Sequence, residues 1–211
     1  MHPDPALKQA HDEGLFKRRR KPMTVRWRAV RVWLAGASLR RTAEALRDEA
    51  QFSHEAVRQW AGRFGHLFRP RKKDHARIVV DETTIILANR REVYEWAALD
   101  PDTRDVILVW KTQGRGGLEA LLFMKAVLRR CRGKPFVMVD KGSWYPWALN
   151  TLKLEWKIQR GGPRSLVECY FGSLKHRLNR MRRRPGSWHT ESSLPTLLNL
   201  HAYFWNRQHL S

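Results

Sequence analysis

Three carboxylates stand out as candidates for chemistry in this 211-residue chain: Asp81, Asp140 and Glu168. Asp81 ends the apolar run Ile78-Val79-Val80, and Asp140 ends Phe136-Val137-Met138-Val139. Glu168 is the only acid between Glu155 and Glu191, in a strongly basic stretch. Asp is disfavoured within strands, so an acid closing an apolar run calls for a reason. Clustered carboxylates repel one another unless a cation joins them. Oxygen ligands without His or Cys suit Mg²⁺ or Mn²⁺. Two such ions about 3.5–4 Å apart stabilise both the attacking and the leaving oxygen of an in-line phosphoryl displacement. The nucleophile can then be water or a 3′-hydroxyl, and no side chain need form a covalent bond. No Ser, Cys or Tyr constellation offers a competing nucleophile. Cys131 and Cys169 lie far apart without a CxxC partner and read as small apolar residues.

Each acid also has a structural reading. Asp81 could close a turn, Asp140 could cap a helix beginning near Lys141-Gly142-Ser143, and Glu168 could complement a helix dipole. Asp100 is the main rival ligand. Glu82 should point to the face of its strand opposite Asp81. Lys175, seven residues after Glu168, lies two helical turns on and on the same face, where it could reach a phosphate. Trp144, Tyr145 and Trp147 beside Asp140 read mainly as core, with base stacking as the alternative.

The elements that must carry these residues follow from periodicity. Strands are expected over 78–80, 93–99 and 106–110, with a hairpin turn at Asp100-Pro101-Asp102. An amphipathic helix over 118–131 precedes a fourth strand over 136–139. A short helix over 144–152, a strand over 156–159, a long basic helix over 164–181 and a final helix over 194–206 complete the order. A three-stranded meander followed by helix, strand, helix, strand, helix is the order of an α/β ribonuclease-H-like domain with a mixed five-stranded sheet flanked by helices. In such a domain the fourth strand crosses over to lie parallel beside the first. That crossing sets Asp81 next to Asp140 and lets the long helix lay Glu168 over the same spot.

Ahead of this domain, residues 1–23 read as a basic flexible arm. Residues 24–68 read as three short helices, with Gly36 ending the first and Ser38 and Ser53 capping the next two. This pattern fits a helix-turn-helix, with His54, Arg58, Gln59 and Arg63 of the third helix available to DNA. Residues 69–77 form a basic linker with Arg71, Lys72 and Lys73, and the catalytic domain runs over 78–211.

The formal net charge is +21. Residues 1–77 carry +11, 78–140 carry +1 and 141–211 carry +9, so the near-neutral middle holds two of the three acids. The flanking excess points to a polyanion such as double-stranded DNA. Arg177, Arg180 and Arg183, with Lys175, would form a basic wall for it. No apolar run approaches the roughly 18–20 residues of a membrane span, and no secretory segment follows Met1; a cytoplasmic, nucleoid-associated protein is expected.

The segments VDET at 80–83, YEWAALD at 94–100, VDKGSWYPWAL at 139–149 and GGPRSLVECYFGSLKHR at 161–177 resemble the DDE transposases of prokaryotic insertion sequences, most of all the IS-six family with its archaeal branch. The likeness covers most of the chain. It implies a catalytic, metal-binding triad at Asp81, Asp140 and Glu168, with the family's downstream basic residue at Lys175. It further implies Mg²⁺- or Mn²⁺-dependent cleavage at terminal inverted repeats, strand transfer into target DNA, and a homodimer or larger synaptic assembly. In this chain 27 residues separate Asp140 from Glu168, fewer than the family's usual mid-thirties. The alternatives are a catalytically inactive DNA-binding protein, such as a repressor at element ends, and a ribonuclease-H-like nuclease with another substrate.

Overall fold

The structure is a computed structural model that describes residues 4–16, 20–87, 89–182 and 191–208. The chain divides into two compact units, one drawn from Met1–Phe68 and His176–Leu200, the other from Arg69–Lys175 and His201–Ser211.

The first unit opens with α1 (Pro5–Asp12), α2 (Met23–Leu34), α3 (Leu39–Ala45) and α4 (His54–Gly65). The sequence expectation of a loose arm fails for α1. Asp4 caps it by accepting from the Ala6 N–H at 2.9 Å, Pro5 occupies the first turn, and Ala6 and Ala10 are fully buried. Asp4 also accepts from Trp27 Nε1 at 2.7 Å, and Phe16 meets Phe64 with ring centroids 5.0 Å apart. Two small residues four apart carry too little hydrophobicity to announce a helix, although their smallness is what permits close packing. Ser38 and Ser53 cap α3 and α4 as expected, accepting from the N–H groups of Arg41 and Ala56.

The second unit is built on β2 (Arg77–Ile86), β3 (Glu92–Leu99), β4 (Val106–Thr112), β6 (Phe136–Val139) and β7 (Trp156–Ile158), preceded by the short β1 (Lys73–Asp74), which pairs in parallel with β5 (Cys131–Arg132). The main sheet has the order β4-β3-β2-β6-β7. The meander is antiparallel, while β6 lies parallel to β2 and β7 parallel to β6. This is the ribonuclease-H-like arrangement expected from the element order. One face of the sheet packs α5 (Gly117–Leu128) and α6 (Tyr145–Thr151) over a core of Ile78, Val80, Trp96, Phe123, Met124 and Tyr145. The other face meets the first part of α7 (Arg164–Arg182) and the last part of α8 (Leu194–Gln208): Tyr170 Oη donates to Glu95, Asn206 accepts from the Val106 N–H, and the Tyr170 and Trp205 rings cross edge-on at 5.4 Å. The boundary between the units falls within α7 and within α8. No helix among the described residues is long and apolar enough to cross a membrane.

Candidate active site

β2 continues as a strand to Ile86, so Asp81 and Glu82 lie inside it rather than after it. Its neighbour on one side ends at this point. β6 pairs with β2 only up to Val79 opposite Met138, leaving Asp81 beside the end of β6 where Asp140 begins the next loop. Two main-chain groups fix the aspartates. Asp81 Oδ1 accepts from the Glu82 N–H at 2.9 Å, and Asp140 Oδ1 accepts from the Gly142 N–H at 2.8 Å. The remaining oxygens face one cation, Arg164, in the first turn of α7. Asp81 Oδ2 lies 3.5 Å from its Nε, Asp140 Oδ2 lies 3.9 Å from its Nη2, and Glu168 Oε1 lies 3.6 Å from its Nε. Three elements distant in sequence thus bring Asp81, Asp140 and Glu168 to a single positive charge.

Glu82 brings a surprise. Its partners lie on the α6 side, consistent with strand alternation: its Oε2 accepts from Tyr145 Oη at 2.6 Å and from Trp144 Nε1 at 3.2 Å. Arg115 approaches its Oε1 at 3.5 Å and stacks on Trp144, 4.4 Å from the ring centroid. Yet one oxygen each of Asp81, Glu82 and Asp140 lies within 4.8 Å of the others. The two side chains approach on the side of β2 where β6 has stopped, while β3 continues to pair on the other side. Glu82's oxygens are already engaged by donors, whereas Asp81 Oδ2, Asp140 Oδ2 and Glu168 Oε1 meet only Arg164 among the contacts described. Among the described residues the acids close enough to share one ion are Asp81, Glu82 and Asp140, while Glu168, more than half exposed, meets them only through Arg164. These carboxylate oxygens have the donor chemistry for a hard divalent cation, and a guanidinium already stands where positive charge is needed.

Burial pushes the Asp81 carboxyl up to about 6, and the neighbouring Asp140 adds to the rise, while the Glu82 N–H and Arg164 oppose it. Glu82 is pushed up to about 7, first by burial, with the Tyr145 hydroxyl acting against it. Gly142 sits under Trp144: a Cβ at this position would lie 2.5 Å from the ring, so only glycine lets the indole close over the Asp140 loop.

The other sequence candidates have defined places. Asp100 is committed to structure: Oδ2 lies 2.6 Å from His75 Nδ1, and Oδ1 accepts from the N–H groups of Asp102 and Thr103. Lys175 is exposed on α7, and its charge acts on Glu95. Glu95 itself escaped the sequence reading. It is fully buried on β3, accepts from Tyr170 Oη at 3.3 Å, and is held well above the usual carboxyl range by burial. The available signal is an acid set between Tyr94 and Trp96, inside the apolar-aromatic part of the strand.

His54, Arg58, Gln59 and Arg63 are all exposed on α4. Arg58 pairs with Glu55, and Arg63 stacks 5.4 Å over Phe16. Arg71, Lys72 and Lys73 are exposed in the second unit, with Lys73 Nζ 3.0 Å from Asp105. Arg177 is half-buried and donates to the Leu34 carbonyl at 2.7 Å, so it serves packing in the first unit. Arg180 continues α7 in its backbone, but its side chain and all of Arg183 lie outside the described residues.

Fold and site together define a ribonuclease-H-like domain with carboxylates gathered beside the middle of its central strand, where β6 ends. The chain is 35% identical over 167 residues to an uncharacterized protein of Methanocaldococcus jannaschii, a match covering 79% of this chain and 78% of that protein. The chain belongs to the same family as this archaeal protein. No family model matches it. Among solved structures it is similar to the simian T-cell lymphotropic virus intasome bound to the PP2A regulatory subunit B56 gamma, at 17% identity and a TM-score of 0.49, covering 68% of this chain and 51% of that one. It is also similar to the catalytic core domain of BIV integrase, at 16% identity and 0.46, covering 59% and 81%. The catalytic domain of Mos1 mariner transposase is a further match, at 12% identity and 0.42, covering 64% and 78%.

Proposed function

We propose that this protein is a DDE transposase of the IS-six type. It would cleave DNA at the ends of a mobile element and join the resulting 3′-hydroxyl to target DNA. The observation that carries the reading is the convergence of Asp81, Asp140 and Glu168 on Arg164 from β2, the loop after β6 and α7. Asp81, Asp140 and Glu168 would hold divalent metal, Mg²⁺ or Mn²⁺, with two ions per site as the working stoichiometry. Bound there, the metal supplies Lewis-acid stabilisation of the oxygens exchanged at phosphorus. Asp81 and Asp140 would be oriented by their bonds to the Glu82 and Gly142 N–H groups, as a preorganised site requires. Glu82 holds Trp144 and Tyr145 against the Asp140 loop and so positions that loop. Lys175 would contact a phosphate further along α7.

In this reading the helices of 24–68 form a helix-turn-helix that grips the terminal inverted repeats through His54, Arg58, Gln59 and Arg63. Arg71, Lys72 and Lys73 follow the backbone between that module and the catalytic domain of 78–211. The partners are double-stranded DNA and at least one further copy of the chain in a synaptic assembly. One observation favours a second reading, a DNA-binding protein without catalysis: Arg164 already offsets part of the acids' charge. Purified protein with element-end DNA and Mn²⁺ separates the two. The transposase produces nicks with 3′-hydroxyl ends, and Asp140→Asn binds the same DNA without cutting. Binding without cutting by the wild type would select the second reading.

A further inference from the structure

Arg164 is poorly explained by the helix that carries it. A cation in the first turn of a 19-residue helix opposes the helix dipole. The chain entry is built by other groups: Gly161 and Gly162 take positive φ, and the Arg164 and Ser165 N–H groups donate back to their carbonyls. The side chain is therefore placed for the acids and not for the turn.

Its contacts are also loose. One long hydrogen bond reaches Asp81 Oδ2 at 3.5 Å, the other approaches are 3.5–3.9 Å, and the buried Nε has no hydrogen-bond partner. Arg77 shows what a committed guanidinium does in the same unit: its Nε lies 3.1 Å from both oxygens of Asp102, and its Nη2 donates as well. Arg164 touches three carboxylates without forming a fork with any, and 29% of its side chain is exposed. It supplies charge without tight bonding and has a way out to solvent.

A guanidinium and a divalent ion cannot both occupy this space, because they would repel within a few ångströms of the same oxygens. A guanidinium fork matches a phosphate well, and a scissile phosphate would arrive beside these acids. We propose that Arg164 couples metal loading to substrate: it shields the acids and resists metal entry until a DNA phosphate draws it away. This rests on the metal-dependent reading of the site given above. Arg164 is thus a positioning residue whose departure links two binding events, and linkage requires that DNA and metal then raise each other's affinity.

The test is Mn²⁺ binding by calorimetry and electron paramagnetic resonance, without and with a duplex oligonucleotide, for the wild type, Arg164→Gln and Arg164→Lys. Circular dichroism checks that each variant is folded. Wild-type protein should bind Mn²⁺ weakly alone and at least about tenfold more tightly with duplex, a coupling of ordinary size. Arg164→Gln should bind Mn²⁺ about tenfold more tightly than the wild type without duplex, and the gain from duplex should shrink toward onefold. Arg164→Lys, which keeps the charge, should retain most of the coupling. Equal Mn²⁺ affinity in wild type and Arg164→Gln, with the same gain from duplex, would overturn the coupling while leaving the metal site standing. Failure of both to bind Mn²⁺ under either condition would overturn the metal site and the coupling with it.

Discussion

Asp81 and Glu95 lie on the same face of the central sheet, one strand apart, since Asp81 pairs with Ala97 and Thr83 with Glu95. Burial raises both. Asp81 stands inside β2 where the neighbouring β6 has stopped, with its Oδ2 facing Arg164, which also approaches Asp140 and Glu168. Glu95 is sealed under α7 against the neutral Tyr170 hydroxyl. Burial alone therefore does not mark an acid as a candidate for chemistry. The distinction comes from the second oxygen, which in Asp81 is offered to a gap in the sheet where other acids arrive.

Removing a shared acid should have the largest effect. Asp140→Asn should lower strand cleavage by at least about 10³-fold, the scale of losing a main electrostatic element of an active site, while DNA binding measured by mobility shift persists. A variant that cuts at more than a tenth of the wild-type rate would remove Asp140 from the reaction.

The raised Asp81 gives the next effect. Metal requires the carboxylate, so Mn²⁺ affinity should rise about tenfold between pH 5 and pH 7 and then flatten, as expected for one proton released near pH 6. In metal-free protein the sign is opposite for stability. A folded value above the ordinary 3.8 favours the protonated acid, so its contribution is present below about pH 4 and is lost as pH rises through 6. Melting curves without metal should show Asp81→Asn gaining on the wild type from pH 4 to pH 7. A constant difference across that range would mean Asp81 is not the titrating group.

Gly142→Ala should act more mildly, costing about 1–3 kcal/mol through overpacking against Trp144. Cleavage should fall through displacement of the Asp140 loop, with a shift in tryptophan fluorescence as the accompanying signature. Unchanged fluorescence and rate would show that the indole does not close over the loop. Glu95→Gln should be the quietest substitution. Cleavage should stay within about twofold, because the amide replaces an acid that burial keeps protonated. Its melting curve should match the wild type in acid and exceed it in alkali, where the wild-type acid is forced to ionise. A large loss of cleavage would place Glu95 inside the reaction and erase its contrast with Asp81.

Most of the second unit could be read from its sequence. β6 matches the expected 136–139, and the parallel pairing of β6 with β2 follows from the order of elements. The apolar runs there are short, bounded and separated by clear turns, so period and punctuation agree. β2 was underestimated because Asp81-Glu82-Thr83-Thr84 reads as a break, while the tertiary setting keeps it extended. Asp81, Asp140 and Glu168 were visible as acids in incongruous settings. Arg164 was not, since it is one cation among many in a basic helix and its meaning lies in what surrounds it in space. Strand alternation correctly places Glu82 on the α6 face, but it does not show that the carboxylate still comes within 4.8 Å of the aspartates where β6 has ended. Glu95 carried no spacing signal at all.

The most direct test is a crystal of the protein grown or soaked with Mn²⁺, examined by anomalous scattering. The expected result is a peak within metal–oxygen bonding distance of Asp81 Oδ2 and Asp140 Oδ2, with Arg164 moved off both and Glu168 turned toward the ion. Arg164 still bridging the three acids, with manganese absent from between them at saturating concentration, would contradict it.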